Sequence, residues 1–231
     1  MLRPKKKITR KELKKDPVLE KISQIDSFVR TQRNLVMYIS LGVVAVVVLT
    51  ILIIGSKRKA NTAAMGDLGL AEMSIARNDY DDAILRLENL IDKYSRTHSA
   101  GMATILLARS YLAKDDYENA RINFEKYADD YDDDAMLAAT AYSGLGICAE
   151  QNSDFKAAAE YFEKGAKKSP YKFQKHELLL NSVRNYLKFN DYESAEKLVN
   201  VLLQDEPEAK NKNSAELLAA QITAQKDYSL K

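Results

Sequence analysis

Apolar and polar residues follow three rhythms along this chain, and each predicts a different helix. From Leu35 to Gly55 the run LVMYISLGVVAVVVLTILIIG holds 21 residues without a charge. At about 1.5 Å of rise per residue such a helix crosses a hydrocarbon layer roughly 30 Å thick. It is apolar on every face, as soluble helices seldom are, and it reads as a transmembrane span. Ahead of it, Val18, Leu19, Ile22, Ile25, Phe28 and Val29 recur at helical spacing with Lys21, Arg30 and Arg33 among them. That pattern predicts an amphipathic helix on the inner leaflet. Thr9 with Glu12 matches a capping box, and Asp16 before Pro17 is a second helix start.

The third rhythm is a phrase that returns four times: NDYDDA at 78–83, DDYENA at 115–120, SDFKAA at 153–158 and NDYESA at 190–195, at intervals of 37, 38 and 37 residues. In each copy an Asp (79, 116, 154, 191) stands four residues before an Ala (83, 120, 158, 195), with an aromatic residue between them. Asp is a good N-cap, and the polar pair before the aromatic residue makes a tight turn after a preceding helix. The Ala lets two helices approach closely, and four residues on come Leu87, Phe124, Phe162 and Val199, on the same helical face. Upstream, the pairs Leu70/Ala71, Leu107/Ala108, Leu145/Gly146 and Ser182/Val183 supply large and small neighbours on the first helix of each pair. Pro170 and Pro207 stop the second helix in the last two copies. NSAELLAAQITAQ reads as a final capping helix begun at Asn213 or Ser214. Nothing alternates as a strand would.

Charge changes the picture by giving the span a direction. Residues 1–33 hold eleven Lys and Arg, whereas Lys57, Arg58 and Lys59 alone flank the far end. Basic residues near a span resist translocation, so the N-terminus is expected in the cytoplasm and the rest beyond the membrane. The long stretch before the apolar run, and the basic residues after it, favour an uncleaved anchor over a signal peptide. The net charge of +2 conceals an asymmetry: residues 60–231 carry 29 acidic and 21 basic side chains. An acidic domain is a poor nucleic-acid ligand, so no nucleic-acid partner is expected. The basic tail suits anionic lipid.

Candidate chemistry is sparse. Cys148 is alone, which excludes an internal disulfide and a thiolate metal cluster, and it reads as a small packed residue. His98 and His176 have no companions at ligand spacing and read as surface or loop residues. The run DDYDDD at 129–134 alternates acids as a calcium loop does, but Ala135 stands where such a loop needs Gly and Ala141 where it needs Glu. It reads as a solvated loop with a helix cap. No phosphate-binding glycine loop or nucleophile elbow is present. The expectation is a protein without catalytic residues, metal or cofactor.

The pattern, including YSGLGICAEQNSDFKAAAEYFEKGAKKSP at 142–170, resembles the tetratricopeptide repeat, two antiparallel helices per unit of about 34 residues. The surplus length falls in SRTHSA and DDYDDD, and the first copy is the least regular, with Asp67 and Ser74 at usual aromatic positions. The resemblance implies an all-α fold: one N-terminal transmembrane helix, an α-solenoid of about four helix pairs, and a C-terminal capping helix. It also implies a concave groove lined by the first helix of each pair. The groove positions are Met65, Leu68, Glu72 and Ile75, then Met102, Ile105, Arg109 and Leu112. They continue with Ser143, Ile147 and Glu150, then Leu180, Arg184, Leu187 and Lys188. Apolar anchors mixed with Arg and Glu suit a bound peptide or helix. Co-chaperones of this class grip a C-terminal carboxylate with Lys and Asn, and Leu68 and Glu72 at those places argue against that ligand.

The order of parts predicts a tail at 1–34, a span at 35–55, a linker at 56–63, a solenoid at 64–210 and a cap and tail at 211–231. That order is similar to bitopic bacterial inner-membrane tetratricopeptide proteins, ancillary subunits of the Sec translocon and partners of periplasmic chaperones. The resemblance implies client proteins, the translocon or a membrane-anchored periplasmic chaperone as partners. A cell-envelope or division scaffold with one fixed partner is the alternative.

Overall fold

The computed structural model describes residues 21, 29–95, 97–131, 134–205 and 208–229. The helix starts at Thr9 and Asp16, the positions Val18, Leu19, Ile22, Ile25 and Phe28, and Pro207 lie outside these residues. Among the described residues there is no strand. Helix α1 runs from Arg33 to Ala76, followed by α2 (Tyr80–Lys93), α3 (His98–Ala113), α4 (Tyr117–Asp130), α5 (Ala135–Gln151), α6 (Phe155–Lys168), α7 (Lys172–Lys188), α8 (Tyr192–Gln204) and α9 (Ala209–Ser229).

Two compact units divide between Lys57 and Arg58. In the first, α1 is the one helix among the described residues long and apolar enough to cross a membrane. From Leu35 to Gly55 every side chain except Val36 is exposed, so this stretch finds no protein core. Residues 56–63, expected as a linker, are helical, because α1 continues unbroken through them.

The second unit stacks helices in chain order. From α2 onward each packs on its neighbours, α3 also meets α5, α9 packs on both α7 and α8, and α1 joins α2 and α3 through Ala64, Leu68 and Ala71. Three apolar clusters result, one among α1, α2 and α3, one among α3, α4 and α5, and one from α5 to α9. One helix pair cannot bury its own apolar face, and the stack does so by sharing helices between clusters. The repeated Ala83, Ala120, Ala158 and Ala195 are fully buried, and Leu87, Phe124, Phe162 and Val199 follow them into the core. Their small partners are close: a Cβ on Gly144 would stand 2.2 Å from the Phe124 ring, and one on Gly146 2.8 Å from Phe162. Leu70 departs from the expected pairing and is exposed, because no described helix covers that face of α1.

The repeated phrase encodes the turn in full. Its first residue, Asn78, Asp115, Ser153 or Asn190, has a positive φ of 58 to 62°. The N–H of the following Asp donates back to the carbonyl of Ser74, Tyr111, Ala149 or Tyr186, at 2.9 Å each time. The N–H of the positive-φ residue reaches the next carbonyl, which completes a Schellman closure of the first helix. The same Asp then caps the second helix, its carboxylate accepting from the N–H three residues on at 3.0 to 3.2 Å. Where the aromatic residue is Tyr, its hydroxyl donates to the side chain of Asn78, Asp115 or Asn190. In the third copy Phe155 has no hydroxyl to give, and Ser153 stands where the others carry Asn or Asp.

Candidate protein-binding groove

The first helix of each pair was expected to line a groove, and its residues divide three ways. Met65, Glu72, Arg109, Ile147, Arg184 and Lys188 are exposed, and Ile75, Met102, Leu112, Ser143 and Glu150 are half-buried. Leu68, Ile105, Leu180 and Leu187 are instead buried and belong to the core. Their burial has a shared cause: each of these helices is flanked by others, so a residue facing inward by periodicity is covered from the side. Leu68 joins Leu87 and Leu107, Ile105 joins Phe124 and Leu145, and Leu180 and Leu187 join Leu218 and Ile222 of α9.

The fourth set borders clefts that it shares with α9. Between α7 and α9 lie two clefts of about 260 and 330 Å3, and both are lined by Arg184. Glu177, Leu180 and Asn181 face Lys210, Asn211 and Ser214 across the first. In the second, Leu187 and Lys188 face Leu218, Gln221 and Gln225. The helical spacing of Glu177, Asn181, Arg184 and Lys188 strings these positions along one face of α7. Arg184 Nη1 donates to Asn181 Oδ1 at 2.8 Å, which orients the guanidinium along the cleft. Lys188 reaches Glu150 on α5 at 3.2 Å, so two expected groove residues meet as an ion pair, and Lys188 also lies over the Phe155 ring. The Gln225 amide oxygen is buried without a hydrogen-bond partner. An apolar floor edged by amides and the three cations Arg184, Lys188 and Lys210 holds donors and acceptors in the mixture that a peptide backbone needs.

The α9 half of this surface was missed because NSAELLAAQITAQ was read only as a cap. Its start lies earlier than expected, at Ala209, which brings Lys210 and Asn211 onto the helix. Asn211, Ser214, Leu218, Gln221 and Gln225, spaced three, four, three and four residues apart, carried the signal.

His176 departs from its expected surface position. It is 2% exposed, and its Nε2 lies 3.1 Å from Asp205 Oδ2. Asp205 ends α8 and also receives Lys175 at 2.7 Å and Lys172 at 3.1 Å. Hydrogen bonds from Lys175 first, then His176 and Lys172, hold its carboxyl well below the usual carboxylate range. This cluster ties the start of α7 to the end of α8. Cys148 is buried as expected, which pushes its thiol up to about 11. Asp134 caps α5 through the N–H groups of Met136 and Leu137. Among the described residues no cluster of His, Cys, Asp or Glu could hold a metal ion.

The tetratricopeptide repeat family matches residues 68–135 and 136–172. Residues 68–172 are tetratricopeptide repeats. The match stops before α7, while the fourth copy of the phrase, at 190–195, carries the same closure and cap, so the repeat architecture continues to α8. No curated protein matches the sequence. Among solved structures, Pseudomonas aeruginosa PilF is similar at 16% identity, over 74% of this chain and 91% of that one, with a TM-score of 0.39. So loose a superposition carries nothing further about this chain. Tetratricopeptide repeats bind protein partners or peptides, and this solenoid is a protein-interaction module.

Proposed function

We propose that the protein is a membrane-anchored interaction module serving Sec-dependent protein export, holding client segments or a periplasmic chaperone in the groove between α7 and α9. The observation that carries this reading is a tetratricopeptide solenoid on a chain with one apolar helix fit to cross a membrane and a strongly basic segment before it. The charge bias directs the solenoid to the far side of the membrane, where emerging chains are unfolded and expose apolar segments. The groove suits such clients, since Leu180, Leu187 and Leu218 give it an apolar floor and the exposed Arg184 and Gln221 can engage any peptide backbone. Anionic lipid at the basic tail would steady the anchor.

The test is photocrosslinking in native membranes from a probe replacing Arg184, an exposed groove position. Many exported chains, lost when export is blocked, are the expected products. A single partner that persists without export would make the protein a fixed scaffold of the envelope and overturn the export reading.

A further inference from the structure

Within the second unit, α1 is apolar on two opposite faces, and the chain covers one of them. Ala64, Leu68, Ala71 and Ser74 are buried in the core. On the other face Thr62, Gly66, Gly69, Met73 and Ala76 follow at intervals of four, three, four and three residues, the spacing of a coiled-coil seam. Met65, Leu70 and Met73 are 61%, 49% and 59% exposed, and nothing lies within 4 Å of a Cβ placed on Gly66 or Gly69. A glycine inside a helix destabilises it relative to alanine, and no packing within the chain offsets that loss here. Large apolar side chains grouped in the open mark an interaction site.

We infer that this seam pairs with the same seam of a second copy of the chain, the two helices parallel and in register about a two-fold axis. Charge selects both the partner and its direction. With Gly66 and Met73 at the a positions and Thr62, Gly69 and Ala76 at d, the flanking g positions are Met65 and Glu72 and the e positions are Leu70 and Arg77. In a parallel pair each g residue meets the following e residue of the other helix. Met65 then meets Leu70 of the second copy and Glu72 meets its Arg77, so every apolar flank finds an apolar one and every acid a base. Both charged side chains are exposed, and Arg77 follows the helical path, its N–H donating to Ser74 O at 3.1 Å. An antiparallel pair would instead set Arg77 beside Arg58 and Lys59 of the other copy, which repel it. Of the remaining charges, Asp67 turns aside to Lys93 of α2 at 3.6 Å, and Lys59 stands at the preceding a position, where a single lysine fixes register at some cost in stability. The pairing uses no residue of the groove between α7 and α9 and is independent of any role in export.

Cysteine is introduced as Met73→Cys in the full chain, two differently tagged forms are co-expressed, and their membranes are oxidised with copper phenanthroline. Residues at an a position face each other across the axis of a parallel pair within disulfide reach, so a dimer carrying both tags is expected. The native Cys148 is buried, with its thiol pushed up to about 11, and does not compete. Leu85→Cys on α2, 59% exposed and outside the seam, is the control and should remain monomeric. Glu72→Arg should lower the yield of the Met73→Cys dimer about fivefold, and adding Arg77→Glu should restore it, a rescue that a folding defect would not show. Gly69→Lys, which meets nothing in its own chain, should abolish the dimer. No linkage at Met73→Cys, or linkage there no greater than at Leu85→Cys, would overturn the inference. So would an adduct with a different protein in place of the second copy, or a preference of Thr62→Cys for Met73→Cys over itself, which is the antiparallel order.

Discussion

The third helix pair and the solenoid segment of α1 use the same residue for opposite ends. Gly144 and Gly146 on α5 exist because Phe124 and Phe162 occupy the space that a Cβ would need, at 2.2 and 2.8 Å. Gly66 and Gly69 on α1 have nothing within 4 Å of such a position, and Met65, Leu70 and Met73 around them are exposed. A helix in the middle of the stack is covered on both sides, and the first one is covered on one. Glycine in the middle is a packing device, and on the open face of α1 it loosens the helix of a single chain.

The largest effect should come from Gly144→Ala. The Phe124 ring is buried and has nowhere to retreat, so about 1–3 kcal/mol or more of stability is lost, read as a lower unfolding midpoint in denaturant. Gly66→Ala should do the reverse and add about 0.5–1 kcal/mol, since it improves the helix without meeting anything. Equal signs for the two would erase the distinction between a covered and an open helix. A smaller gain is expected at the third turn. Ser153 holds a φ of 58°. Ser153→Asn, matching the first and fourth copies, should stabilise by roughly a few tenths of a kcal/mol, because Asn tolerates that conformation better. Ser153→Val should destabilise, because a β-branched side chain is a genuine outlier there.

The last effect appears as a dependence on pH. The carboxyl of Asp205 is depressed by Lys175, His176 and Lys172, so its contribution is present above the unfolded carboxylate value of about 4 and is lost as pH falls toward the folded one. The midpoint difference between the wild type and Asp205→Asn should be largest near neutrality and shrink below about pH 4. A difference that stays constant down to pH 3 would mean that the cluster holds α7 to α8 by shape alone.

How much of this was legible follows from what each feature depends on. The turns and caps depend on a few adjacent residues, so NDYDDA and its copies disclosed the Asp caps and the buried Ala positions directly. The positive φ of the first residue was also written there, in the recurring Asn and Asp, and Ser153 concealed it in the third copy. The groove depends on which helices come to lie beside one another. Periodicity on a single helix placed Ile105 and Leu180 on the inner face, and only the stacking of α5 and α9 shows that they are covered. His176 was misjudged for the same reason, since Asp205 lies 29 residues away along the chain. Arg184 and Lys188 are exposed as their charge alone would lead one to expect, because charge resists burial wherever the helix goes.

Sidedness tests the account most directly, because the export reading needs the solenoid beyond the membrane from the basic tail. In sealed inside-out vesicles, protease should remove residues before the span and leave the solenoid from Arg58 onward intact, with digestion only after the bilayer is opened by detergent. A solenoid cut in sealed vesicles while the tail survives would place it with the cytoplasm and contradict the export role.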